Sequence, residues 1–86
     1  MEISEVQGLI EAGIPGAQVT VSGDGSHFEA VVVSTEFEGK SPVQKQKMVY
    51  ATVSDRITSG ELHALTIKAY TPEQWQQAQK FQVGSA

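Results

Sequence analysis

Apolar residues recur at helical spacing through residues 3–12, ISEVQGLIEA, where Ile3, Val6, Leu9 and Ile10 share one face of a helix. The GIPG that follows supplies the stop. The pattern then changes to period two. AQVTVS predicts a strand with Val19 and Val21 on one side, and HFEAVVVS predicts a second strand, over 27–34, apolar on both faces. A strand of that kind belongs at the centre of a sheet or under cover. Only a short glycine-rich turn, Gly23-Asp24-Gly25, comes before it, so the two strands form an antiparallel hairpin.

Helical spacing returns in TEFEGKSPVQKQKMVYATVSDRITSG. Ser41 suits an N-cap, Pro42 the first helical position and Gly60 the C-terminal stop, with Val49, Val53 and Ile57 as one buried stripe. LHALTIKAY, residues 62–70, predicts a third strand with Leu65, Ile67 and Ala69 on one face. The last helix begins in TPEQW, with Thr71 as cap, Pro72 in the first turn and Glu73 near the positive end of the helix dipole. Trp75 is expected in the core or in a seam against the sheet. VGSA, residues 83–86, is expected to fray, leaving 1–82 as one domain without repeats or linkers.

The predicted order is α-β-β-α-β-α, an α+β fold in which a three-stranded mixed sheet carries helices packed on one face. The connection from second to third strand contains a helix. If those strands are neighbours it is a right-handed crossover and they run parallel. Parallel neighbours start at the same edge of the sheet. His27 opens the second strand and His63 sits at the start of the third, so the chain's two imidazoles are expected to project from one rim, close enough to share a metal.

Composition narrows the chemistry. Eighty-six residues, 40% of them apolar, suffice for one small core and argue against disorder. No apolar run is long enough for a membrane span, and the acidic start MEISEVQGLI is unlike a signal peptide, so a cytoplasmic protein without membrane attachment is expected. With no cysteine there are no disulfides, no thiol nucleophile and no thiolate metal site from this chain alone. The net charge of −4 opposes strong non-specific affinity for nucleic acid, although a local basic patch is compatible with it. EGKS lacks the length and spacing of a phosphate-binding loop, and no catalytic triad or carboxylate pair stands out, so an enzyme is not expected.

Three successive stretches, GSHFEAVVVS, FEGKSPVQKQKMVY and LHALTIKAYTPEQW, resemble in order and separation the signatures of the BolA family. The GDGSHF turn and IKAYTP are similar to its IbaG-like bacterial branch. The resemblance runs from about Val19 to Trp75. It implies a fold related to type II K-homology domains and a partnership with monothiol glutaredoxins, in which a [2Fe–2S] cluster is held jointly. It also implies that His63 matches the family's most constant ligand. The second ligand, a histidine or cysteine by subfamily, comes from the turn between the first two strands, where His27 is the candidate. Many members carry Arg-His-Arg where this chain has Lys45, Gln46 and Lys47. Losing the guanidinium forks weakens the DNA-binding, stress-regulator role proposed for some relatives more than it weakens cluster binding.

Two imidazoles on one iron are chemically sound, as in Rieske centres, but a [2Fe–2S] cluster needs four ligands. A glutaredoxin cysteine and glutathione would supply the rest, so the isolated protein is expected to hold no cofactor. The structural alternative makes His63 a half-buried residue tying a strand end through a backbone hydrogen bond, and His27 a solvated turn residue. Lys40, Lys45 and Lys47 read either as a solvated helix face or as a docking surface for an acidic partner, glutathione carboxylates or nucleic acid. Tyr70 is expected partly exposed near the partner surface. A homodimer stays open.

Overall fold

The structure, a computed structural model, describes residues 1–24 and 26–84. The elements follow the expected order: α1 (Ile3–Gly13), β1 (Gln18–Gly23), β2 (His27–Val33), α2 (Pro42–Thr58), β3 (Ala64–Tyr70) and α3 (Pro72–Gly84). A short 3-10 turn, Thr35–Phe37, follows β2 and was not expected from the sequence. The last helix continues through Gly84, and Ser85 and Ala86 of the expected tail lie outside the described residues.

The sheet order is β1-β2-β3, with β2 in the centre. β1 and β2 are antiparallel, pairing Gln18 with Val33 through Gly23 with Phe28. β2 and β3 are parallel, pairing His27 with Ala64 through Val33 with Tyr70. Side chains in registered pairs share a face. Val19 and Val21, Phe28, Ala30 and Val32, and Leu65, Ile67 and Ala69 therefore lie on one side, where α1 and α2 cover them with Val6, Ile10, Val49 and Val53. The opposite face carries Thr20, Glu29, Thr66 and Lys68, with one exposed ion pair between Lys68 and Glu29 at 3.5 Å.

Helix ends follow their local chemistry. Ser41 Oγ accepts the Gln44 amide and the Gln44 side chain accepts the Ser41 amide, a reciprocal cap ahead of Pro42. Gly60 adopts φ +85° after the last turn of α2, a conformation open to glycine and costly for most residues. Ser34 links two loops: its Oγ accepts the Glu36 amide and donates to the Pro15 carbonyl. Phe37, on the 3-10 turn, is fully buried in the core.

The expected stripe on α2 is displaced by one turn. Ile57 is 40% exposed, whereas Lys45 is only 7% exposed and joins Val49 and Val53 on the buried side. Steps of four residues rotate a stripe by about 40° each, so Ile57 lies about 120° round the helix from Lys45 and leaves the packed sector.

β3 is an edge strand, and α2 covers its free edge with side chains. Gln46 Nε2 donates to the Ile67 carbonyl at 2.9 Å, and Tyr50 Oη donates to the Leu65 carbonyl at 3.1 Å. Donors four apart on the helix thus meet acceptors two apart on the strand, removing groups that could template pairing with another chain.

Candidate metal centre at the sheet rim

The turn that presents His27 is built by Asp24. Its Oδ1 accepts the Ser26 amide at 3.0 Å and the His27 amide at 2.9 Å, while its own amide donates to the His27 carbonyl at 3.2 Å. The His27 and Ser26 amides hold the Asp24 carboxyl below its ordinary value, in that order of effect, and attraction to His27 adds to them. Gly23 is required next to this turn for space. A Cβ there would collide with the His27 carbonyl oxygen and press on Phe28. Gly25 lies outside the described residues.

His63 reaches the same rim from the other direction. The last turn of α2 ends at Thr58 and Gly60 follows it, the Leu62 amide donates back to the Arg56 carbonyl, and buried Leu62 anchors the chain just before His63. The third strand begins two residues later than expected, at Ala64, and His27 is registered with Ala64. Strand neighbours stand about 4.8 Å apart and successive Cα atoms 3.8 Å apart, so the two histidine Cα atoms lie within roughly 9 Å of each other.

Both histidines are exposed. Among the described residues neither imidazole makes a hydrogen bond or an ion pair, so His63 does not tie the strand end as the structural alternative required. No cluster of three or more histidine, aspartate and glutamate side chains among the described residues is placed to hold a metal ion. The rim therefore carries two exposed histidines with their Cα atoms within roughly 9 Å, and imidazole is a nitrogen donor that suits iron. This donor set suits half of an iron–sulfur cluster's coordination.

The other candidate residues do not gather around this rim. Lys40 and Lys47 are exposed and line a surface depression with Glu36 and Glu38, which offset their charge. Lys45 departs from the expected basic surface: it is buried on the same side of α2 as Val49 and Val53, and its Nζ donates to Gln74 Oε1 at 2.7 Å. Tyr70 is half-buried at the far end of β3 and packs on Trp75, ring centroids 5.3 Å apart, which places Trp75 in a seam at the sheet's end. The sequence reading missed Gln46 and Tyr50 as edge-capping residues. Their spacing of four was the available signal, but polar side chains on a helix ordinarily point to water.

No helix among the described residues is long and apolar enough to cross a membrane. Residues 11–74 match the family model described as BolA-like protein. The chain is 41% identical over 80 residues to the acid stress protein IbaG of Escherichia coli (strain K12), covering 93% of this chain and 95% of that protein. Among solved structures, a BolA protein homologue from Coxiella burnetii superposes with TM-score 0.79 at 34% identity, covering 88% of this chain and 97% of that one. BolA1 from Arabidopsis thaliana superposes with TM-score 0.72 at 26% identity, covering 85% and 96%. The motif order, the mixed three-stranded sheet and these matches agree, and the chain belongs to the BolA family.

Proposed function

We propose that this BolA-family protein is a non-catalytic iron–sulfur adaptor. It binds a monothiol glutaredoxin and contributes His27 and His63 to a [2Fe–2S] cluster shared between the two proteins. A glutaredoxin cysteine and the thiol of glutathione complete the set of four. The adaptor serves cluster trafficking or iron and stress sensing in the cytoplasm, and a relative named as an acid stress protein is consistent with that setting.

One observation supports the reading: the parallel ladder from His27–Ala64 sets the two exposed histidines at neighbouring strand starts on one edge of the sheet. The absence of cysteine from the chain fits a role that borrows its thiolates. The rival role, a K-homology-like DNA-binding regulator, draws little support from a cationic stretch in which Lys45 is buried and Lys40 and Lys47 stand beside Glu36 and Glu38.

Anaerobic reconstitution with a monothiol glutaredoxin, glutathione, iron and sulfide tests the proposal. A coloured heterodimer is expected, with a visible spectrum distinct from that of the glutaredoxin homodimer. His63→Ala is expected to abolish the distinct spectrum. A His63→Ala complex with the same spectrum as wild type would remove His63 from the site.

A further inference from the structure

Lys45 is 7% exposed, and its ammonium donates to the neutral Gln74 Oε1 at 2.7 Å. The ion pairs among the described residues are Arg56–Glu61 and Lys68–Glu29, so Lys45 has no carboxylate partner there. That hydrogen bond is part-buried and its acceptor is uncharged, so the ammonium keeps capacity for an anionic partner.

The surroundings of Lys45 are rich in donors. A groove of about 390 Å³ opens between the first turns of α2 and α3, lined by Pro42, Lys45, Gln46, Tyr70, Gln74 and Gln77. Side chains from the first turn of α2 and from the first and second turns of α3 therefore line one groove. Gln74 Oε1 is already engaged twice, by Lys45 Nζ and by the Thr71 amide, so the part of Gln74 left to bind is its NH2. Gln46 Nε2 is committed to the Ile67 carbonyl. Gln77 is exposed and adds a second amide. The volume falls in the range of small-molecule sites, about 300–1,000 Å³.

We infer that this groove binds the oxyanion group of a small molecule, a carboxylate or a phosphate, with Lys45 Nζ as its counter-charge and the Gln74 and Gln77 amides as further donors. The site is separate from the histidine rim. It lies at the Tyr70 end of β3 and the rim at the Ala64 end, roughly 20 Å apart for a strand of this length. It stands whether or not the rim holds a cluster.

The test is an amide NMR titration of the whole protein at low ionic strength, with inorganic phosphate in one arm and N-acetylglycine in another. Saturable shifts are expected at residues 43–46, 70–71 and 73–77, in either arm or both, and the arm that saturates names the oxyanion. Lys45→Met keeps the bulk and removes the charge, and is expected to weaken binding about tenfold or more, the size of one charge-assisted hydrogen bond. Gln77→Glu, which sets a carboxylate in the groove, is expected to abolish binding and keeps the test decisive if Lys45→Met does not fold. Shifts that grow linearly in both arms, or equal binding in wild type and Gln77→Glu, would overturn the assignment.

Discussion

His27 and Ala64 face each other in the parallel ladder between the central and edge strands, which leaves His63 one residue along the same rim. The crossover through α2 brings together two residues far apart in sequence. A shift of one residue in this register would send His27 to the other face of the sheet. The hairpin register and the Asp24 turn on one side, and the anchor at Leu62 on the other, set the positions of the pair.

Because both imidazoles are exposed and make no hydrogen bond or ion pair among the described residues, His27→Ala and His63→Ala are expected to change folding stability by no more than about 0.5 kcal/mol. Chemical denaturation followed by circular dichroism checks this. A loss of several kcal/mol would assign the histidines to the scaffold instead.

Gly23→Ala is expected to destabilise the protein by about 1–3 kcal/mol, since its Cβ would meet the His27 carbonyl and Phe28, which is 3% exposed. The same variant should broaden or shift the amide signals of Ser26 and His27. Thermal unfolding together with an amide spectrum reads both effects.

Asp24 gives the turn a pH dependence. Its carboxyl lies below the ordinary value of 3.8 in the folded protein because the charged form accepts the His27 and Ser26 amides. The stabilisation is therefore fully present above 3.8 and is lost as pH falls from there through the lowered folded value. Titrating the Ser26 and His27 amide shifts should give a midpoint below 3.8. A midpoint at or above it would show that Asp24 does not hold the turn.

At the protected edge of β3, Gln46→Leu and Tyr50→Phe each remove one donor to a strand carbonyl. A cost of about 0.5–1.5 kcal/mol apiece is expected, with the double variant also more prone to associate through the uncovered edge. Denaturation and light scattering measure the two consequences. Variants as stable and as monodisperse as wild type would count against edge protection.

Local signals made much of this architecture readable. Ser41, Pro42 and Gly60 mark the ends of α2 because caps and stops act within a turn of the chain, and the alternation of Val19 and Val21 exposes the core face of β1 directly. The parallel pairing of β2 with β3, and with it the histidine rim, followed from connection rules applied to those elements. What sequence reading missed depends on distant partners. Lys45 sits on the buried side of α2 and bonds to Gln74, distant in sequence, Ile57 is turned out by the rotation of α2, and Phe37 is buried by a 3-10 turn too short to leave a periodic pattern. The groove between α2 and α3 joins side chains from both helices and the end of β3, so it exists only in the folded chain.

The most direct test of the histidine rim is pulsed electron paramagnetic resonance on the reduced cluster in the complex with glutaredoxin and glutathione. Two inequivalent, strongly coupled imidazole nitrogens are expected, one lost in His27→Ala and the other in His63→Ala. A cluster with no strongly coupled nitrogen, held by thiolates alone, would contradict the assignment.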